Sequence, residues 1–320
     1  MSSRTRAWVW GLVACAAIDG ACSGTSSLPT QPTTVVAPDT PTTSGTDQPG
    51  SGTQPGLPPA GTGVATLSAF GDTGWCGSPG VAQVALLLSR FDDDILLLGD
   101  LAYPNGTAAD FRNCFAPELG RFMRRFRPGP GNHEYDVAGG DAYFSQFGAA
   151  AGPGRLGYYA FHAASWQVLV LNSSVPIDRG SAQYLWAREQ LEQRARCTLA
   201  TVHHPYDSSG PHGQTPQLRD MWQLLYEHGA DVVLNGHDHN YERIGPQTAD
   251  RQLDLAHGIR QFTVGTGGAP LYPAARRAAN SELFIQSWGL LRLSLEPTQY
   301  QWEFLDVSGA TRDRGADTCH

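Results

Sequence analysis

Asp94-Ile95-Leu96-Leu97-Leu98-Gly99-Asp100-Leu101-Ala102-Tyr103 decides how this chain is read. Asp94 to Leu98 reads as a near-continuous apolar strand, as burial on both faces requires, and it stops at Gly99-Asp100. The same grammar recurs along the chain. Ala65–Phe70 reads as a strand ending at Gly71-Asp72, and 128–131 as a tight turn into Asn132-His133-Glu134. Residues 198–202 run into His203, and 232–234 deliver Gly236-His237-Asp238-His239. Helical patterns over 79–90, 108–125, 181–196 and 218–228 fall between them, the first with Ser78 as N-cap and Pro79 at its opening position. Segments 158–162 and 166–171 read as a hairpin opening into Asn172-Ser173-Ser174. The strand 262–264 ends in Gly265-Thr266-Gly267-Gly268, and 289–295 and 300–305 form a closing antiparallel pair. Strands alternating with helices predict an α/β domain.

In open α/β sheets ligands collect beyond the carboxyl ends of the strands, where these polar motifs lie. A lone Gly-Asp is an ordinary turn; five such motifs in this order are not. Asp, Asn and His are ligands for hard and borderline metals, and Cys is absent from the set. Strands ~4.8 Å apart let their end loops converge on two metals ~3.5 to 4 Å apart. Asp238, flanked by His237 and His239 on an extended segment, is expected to point away from that site. Glu134, Tyr241 and Glu242 read as supporting groups, and His162, His228, His257 and His320 as structural or surface residues. The loop Gly265 to Gly268 lacks the Lys and helix start of a P-loop and is expected to lie beside the site.

The ends set the context. Arg4 and Arg6 precede an apolar run over 7–18, too short to span a bilayer, which reads as a signal peptide over 1–21. Leu12-Val13-Ala14-Cys15 and Gly20-Ala21-Cys22-Ser23 resemble lipoboxes, and cleavage before Cys22 suits the usual signal length. Lipidation at Cys22, lipidation at Cys15 and plain secretion stay open. Residues 22–63 are almost wholly Ser, Thr, Pro, Gly, Gln and Asp, the composition of a disordered tether. Residues 64–320 suffice for one domain with a substantial core. Losing Arg4, Arg6 and Asp19 with the signal turns the net charge of −8 into −9, which argues against nucleic acid as a stable partner. Cys76, Cys114, Cys197 and Cys319 remain, an even number suited to disulfides in an exported domain. Three pairings are open. Cys76 with Cys114 is favoured because both follow early, neighbouring strands, and Cys197 with Cys319 because it ties the C-terminus to a central strand.

Taken together, residues 65–320 resemble the calcineurin-like metallophosphoesterases and, within them, the purple acid phosphatases. Tyr103, three residues after Asp100, is the most discriminating piece. The resemblance implies a four-layer α/β/β/α sandwich and two metal ions. It implies Fe(III) held by Asp72, Asp100, Tyr103 and His239, and Fe, Zn or Mn held by Asp100, Asn132, His203 and His237, with Asp100 as the bridge. It further implies phosphomonoester hydrolysis by a metal-bound hydroxide, with a small phosphorylated substrate and His133, His204 and His212 as catalytic histidines. The family's valine-x-x-His motif is Ala200-Thr201-Val202-His203 here, keeping the His and losing the Val. Many members carry an N-terminal β-sandwich where this chain has the tether. A phosphodiesterase on the same metals and a non-catalytic surface phosphate-binding protein are the competing functions.

Overall fold

The computed structural model describes residues 61–193 and 195–320. The signal peptide and nearly all of the tether expected over 1–63 lie outside them. Among the described residues, thirteen strands form two sheets. The six-stranded sheet has the order β13 (Thr311–Thr318), β12 (Gln299–Asp306), β11 (Gly289–Leu295), β1 (Ala65–Phe70), β2 (Asp94–Leu98), β3 (Phe126–Gly129). The seven-stranded sheet has the order β10 (Ser281–Ile285), β8 (Tyr241–Gln247), β9 (Ile259–Val264), β7 (Val232–Asn235), β6 (Thr198–Thr201), β5 (Trp166–Val170), β4 (Tyr159–Ala163). In the first sheet β1, β2 and β3 are parallel, and in the second β5, β6, β7 and β9 are. The strand ends that carry the motifs therefore point the same way within each sheet.

Side-chain alternation along the strands separates the layers. Val168 of β5 and Leu199 of β6 belong to the same apolar cluster as Leu291 and Leu293 of β11, which fills the space between the sheets. The alternate residues Leu169 and Ala200 instead pack with Tyr184, Trp186 and Leu191 of α5 (Ala182–Leu191) and Met221, Trp222 and Leu225 of α6 (Arg219–Glu227). On the far side of the six-stranded sheet, α1 (Pro79–Leu88) buries Val84, Leu87 and Leu88. The result is the expected α/β/β/α arrangement. Ser78 caps α1 by accepting from Gly80 N–H at 3.1 Å, and Ser181 caps α5 by accepting from Tyr184 N–H at 3.1 Å. The cysteines pair as Cys76–Cys114 and Cys197–Cys319, with Cα separations of 4.6 and 5.4 Å.

Several elements differ from expectation. The helix expected over 108–125 is four short pieces: α2 (Ala108–Asp110), a π-turn (Phe111–Phe115), α3 (Ala116–Leu119) and a 3₁₀ stretch (Gly120–Arg125). Pro117 has no N–H to give the carbonyl one turn back, so a regular ladder cannot run through it. Pro128 and Gly129, the first half of the turn expected at 128–131, instead belong to strand β3, which tolerates Pro128 because it is an edge strand paired on one side to β2. Strands β8, β10 and β13 and the short helix α4 (Asp141–Phe147) were not apparent in the sequence. Thr311–Thr318 carries four charges and sits at a sheet edge, where charge protects against pairing with another chain. Helix α5 stops at Leu191, its last buried apolar residue, rather than at 196. No helix among the described residues is long and apolar enough to cross a membrane.

Candidate metal centre

Three strands of one sheet and two of the other end at the site. Asp72 follows β1, Asp100 and Tyr103 follow β2, and Asn132 and His133 follow β3; His203 follows β6, and His237 and His239 follow β7. Backbone bonds lace these loops together: between the sheets Gly71 N–H donates to Val264 at 2.9 Å, and within each sheet Asp72 N–H donates to Gly99 at 3.0 Å and Gly236 N–H to His203 at 2.9 Å. Asp72, Asp100 and His237 have left-handed backbones, with φ of 57°, 52° and 71°. Such angles are uncommon outside glycine and concentrate at functional sites. The glycine before Asp100 is sterically required, since a Cβ on Gly99 would sit 2.5 Å from His203 Nδ1.

Two clusters share one carboxylate. The Tyr103 hydroxyl lies 3.1 Å from Asp72 Oδ1, 3.2 Å from Asp100 Oδ2 and 3.0 Å from His239 Nε2. On the other side His203 Nε2 lies 3.2 Å from the same Asp100 Oδ2 and 3.2 Å from Asn132 Oδ1. Asp100, His203 and His237 offer ligand atoms all within 4.8 Å of one another. All seven side chains singled out in the sequence thus meet here, around the two oxygens of Asp100 and Asp72.

The set fits cations. His203 Nδ1 is 2.7 Å from the Leu98 carbonyl and His239 Nδ1 is 2.7 Å from the Pro270 carbonyl. A carbonyl only accepts, so both Nδ1 atoms carry a proton and both Nε2 atoms are turned inward toward the carboxylates, the outer contact that orients metal-binding imidazoles. Burial, Asp72 and Asp100 push the Tyr103 phenol well above its ordinary value. Burial opposes a charged His203, but Asp100 outweighs it and pushes the imidazole up to about 9. For Asp100 burial acts upward and is overcome mainly by His203, which holds the carboxyl well below its usual range. Two positive ions among these oxygens would invert this logic, releasing the phenol and histidine protons.

Glu134 is fully buried and braces the loops. Asp100 N–H and Gly131 N–H donate to its Oε2 at 2.9 and 2.7 Å, and Leu101 N–H donates to its Oε1 at 2.7 Å. Burial and Asp100 raise its carboxyl to about 7, against the pull of the Gly131 and Leu101 amides.

The three expected catalytic histidines occupy different settings. His133 donates through Nδ1 to the Pro104 carbonyl at 2.5 Å, which leaves Nε2 3.8 Å from Asp100 Oδ2. His204 and His212 lie against the His237 ring, with centroids 4.2 and 4.1 Å away. His204 is held through Nδ1 by the Ser173 hydroxyl at 2.7 Å, and burial beside His203 lowers its pKa to about 3. His212 is exposed and meets Asp238 Oδ1 at 2.8 Å through Nδ1. Asp238 does point away from the two clusters, as its place between His237 and His239 implied. Tyr272, stacked on His239 at 4.1 Å, and Trp75, 4.9 Å from Tyr103, complete the rim. Neither was apparent in the sequence, because both lie in loops without periodicity. The loop after β9 does flank the site: Gly267 N–H donates to Gly71 and Ala269 N–H to Asp72, at 2.8 and 3.0 Å.

Residues 67–241 match the calcineurin-like phosphoesterase family. Purple acid phosphatase 15 of Arabidopsis thaliana is 29% identical over 223 residues, covering 58% of this chain and 42% of that protein. Probable purple acid phosphatase 20 of the same plant is 28% identical over 251 residues, covering 68% of this chain and 56% of its own. The chain spans about half the length of the curated relatives it matches. Among solved structures, purple acid phosphatase PPD1 from yellow lupin (Lupinus luteus) seeds superposes with a TM-score of 0.71 at 20% identity, over 82% of this chain and 55% of that one. GAP50, the anchor in the inner membrane complex of Plasmodium, superposes with a TM-score of 0.65 at 14% identity, over 80% and 89%. An anchor and a phosphatase share this fold, so function has to be argued from the side chains.

Proposed function

The chain belongs to the calcineurin-like phosphoesterase family, and on that premise we propose that it is an exported phosphatase that hydrolyses phosphomonoesters at a dinuclear metal centre. Asp72, Asp100, Tyr103 and His239 would hold one ion, and Asp100, Asn132, His203 and His237 the other. Fe(III) suits the first set because of its phenolate; Fe, Zn or Mn suits the second. The observation that carries the reading is the shared Asp100 Oδ2, 3.2 Å from both the Tyr103 hydroxyl and His203 Nε2. A carboxylate common to two donor clusters is what two neighbouring cations need.

When bound, the two ions supply a water of lowered pKa and polarise the phosphoryl oxygens. The protein's own side chains do the rest. Asp100 is fixed by His133 N–H at its Oδ1 (2.9 Å) and by Tyr103 and His203 at its Oδ2. His133 Nε2 faces the Asp100 side of the site. The leaving oxygen needs a proton, and of the two histidines flanking His237 the exposed His212 suits this task. His204 is half-buried, and its desolvation beside His203 makes it resist taking a proton. The two disulfides fit an oxidising compartment, which supports export; lipid anchoring at Cys22 or Cys15 falls outside the described residues.

Elemental analysis of freshly purified protein, with turnover of a monoester and a diester measured side by side, tests the proposal. Two metals per chain and faster monoester turnover are expected. Asp100→Asn should abolish both metal retention and turnover. Turnover that survives that substitution defeats the site assignment, and faster diester turnover moves the substrate class to diesters.

A further inference from the structure

Under the loop that follows β6 the seven-stranded sheet carries a polar patch that the dinuclear centre does not use. Leu234, Tyr241 and Phe262 face the core between the sheets, so the next residues along those strands, Asn235, Glu242 and Thr263, face the other way. They stand in one row by register, Thr263 opposite Asn235 on one side and Glu242 on the other. Gly265 N–H donates to the Asn240 carbonyl at 3.1 Å, which carries the β8–β9 ladder one step further and sets Asn240 on the same face as Glu242. The loop closes over the row through two consecutive residues. Ser209 donates its N–H, at 2.7 Å, and its hydroxyl to Glu242, and a Cβ on Gly210 would sit 2.4 Å from Asp238 Cγ. Asn235, Asp238, Asn240, Glu242 and Thr263 are all fully buried there.

Polar atoms are left over in this enclosure. Asn235 gives its Nδ2 to the Val202 and His204 carbonyls at 2.6 and 3.0 Å, on the β6 side, which turns its Oδ1 toward β9 and Thr263. Asp238 gives its Oδ1 to His212, at 2.8 Å from the ring. Asn235 Oδ1, Asp238 Oδ2, Thr263 Oγ1 and both amide atoms of Asn240 have no hydrogen-bond partner among the described residues. Charge is left over as well. Asp207, on the same loop, is matched by Arg251 and Arg276, whereas Glu242 has no ion pair among the described residues and Asp238 has only His212. Buried charges are ordinarily paired or coordinate metals.

We propose that this enclosure is a third cation site, separate from the dinuclear centre, with Asn235 Oδ1, Asp238 Oδ2, Asn240 Oδ1 and Thr263 Oγ1 as ligands to a calcium ion and Glu242 as a second negative charge beside it. Every donor is an oxygen. A carboxylate, two amide oxygens and a hydroxyl without imidazole or thiolate suit a hard cation, and calcium tolerates the irregular geometry and variable ligand number of such a set. Water completes the shell and accepts from Asn240 Nδ2. The ion ties the loop that carries His204 and His212 to the segment that carries His237 and His239.

Equilibrium dialysis of zinc-saturated wild-type protein against labelled calcium is the test. One calcium per chain is expected, with the zinc content unchanged. No bound calcium overturns the proposal and leaves the enclosure to buried water, and this holds whether or not any variant folds. Calcium at about 100 times its Kd should also raise the unfolding midpoint by about 5–10 °C. Thr263→Val and Asn240→Leu each remove one oxygen ligand outside the dinuclear set, and each should weaken calcium binding by at least about 10-fold with zinc retained. Asp100→Asn, which disables the dinuclear centre, should keep the calcium-induced rise in midpoint. A rise that disappears in Asp100→Asn but survives in Thr263→Val and Asn240→Leu would put the calcium in the dinuclear centre and refute the third site.

Discussion

Glu134 offers the sharpest test of how the centre is held. Its carboxylate is the acceptor for three buried backbone N–H groups, from Asp100, Leu101 and Gly131. These amides belong to the loops that carry Asp100 and Asn132. An unpaired buried donor costs about 1–3 kcal/mol, so Glu134→Ala should destabilise the protein by about 3–9 kcal/mol. That is comparable with the whole stability of a typical domain, about 5–15 kcal/mol. Glu134→Gln is the discriminating partner. A glutamine whose oxygen takes the Oε2 position keeps the Asp100 and Gly131 bonds and loses only Leu101, a loss of about 1–3 kcal/mol. Urea unfolding of metal-free protein, followed by tryptophan fluorescence, gives both values at once. The reasoning fails if Glu134→Ala unfolds within about 1 kcal/mol of the wild type, or if the glutamine variant is the less stable of the two.

Other expectations concern colour, pH and covalent closure. Tyr103→Phe should remove any visible phenolate-to-iron absorption from iron-loaded protein while circular dichroism stays native; a persistent band would show that another group supplies the colour. For pH, His203 is raised from 6.5 to about 9 in the folded metal-free protein. Between those values the folded state binds the extra proton, so its contribution to stability is complete below about 6.5 and is lost as pH climbs through about 9. The urea midpoint of metal-free protein should show this alkaline decline, and it should be weaker in His203→Gln. The Cys197–Cys319 bridge closes a separation of 122 residues, worth about 5 kcal/mol in the chain-entropy picture. Cys197→Ser with Cys319→Ser should therefore lower the stability by about 3–5 kcal/mol, and a loss below about 1 kcal/mol would mean the C-terminal strand is held by its packing.

Much of the site was legible because nearly every contributing side chain, Asn132 apart, sits just after an apolar run. β1 and β2 were read to the residue, and Asp72 and Asp100 fall just beyond them. Three of the four edge strands were not legible. β13 is highly charged, β10 is half-buried, and β3 contains Pro128 and Gly129, so none carries the apolar or alternating pattern of a central strand. Sheet edges need no such pattern, having a neighbour on one side only. The rim residues Trp75 and Tyr272 escaped for a different reason: their contacts to Tyr103 and His239 join segments far apart in sequence. The choice between His204 and His212 likewise turns on their exposure, which appears only once the loops have folded together.

The left-handed backbone at Asp72 converts one of these sequence signals into an energy. With φ at 57°, this residue turns the chain sharply at the end of β1 so that its carboxylate crosses toward His237 N–H, 2.9 Å from Oδ2. For a side chain that cannot bond locally, such a conformation costs about 1–2 kcal/mol. Comparing Asp72→Ala with Asp72→Gly isolates that cost, since both delete the carboxylate and its bonds to Tyr103 and His237. At an ordinary position alanine is the more stabilising of the two, because glycine gains more freedom on unfolding. Here the order should invert, with Asp72→Gly more stable than Asp72→Ala by about 1 kcal/mol. The same pair at Asn132, whose φ is −74°, should keep the ordinary order. Metal-free protein is the right form to measure, because both variants lose a ligand and would otherwise differ in metal content. If alanine proves equal or better at Asp72, the backbone there is not strained, and the repeated Gly-Asp and Gly-His motifs would have to be explained by ligand chemistry alone.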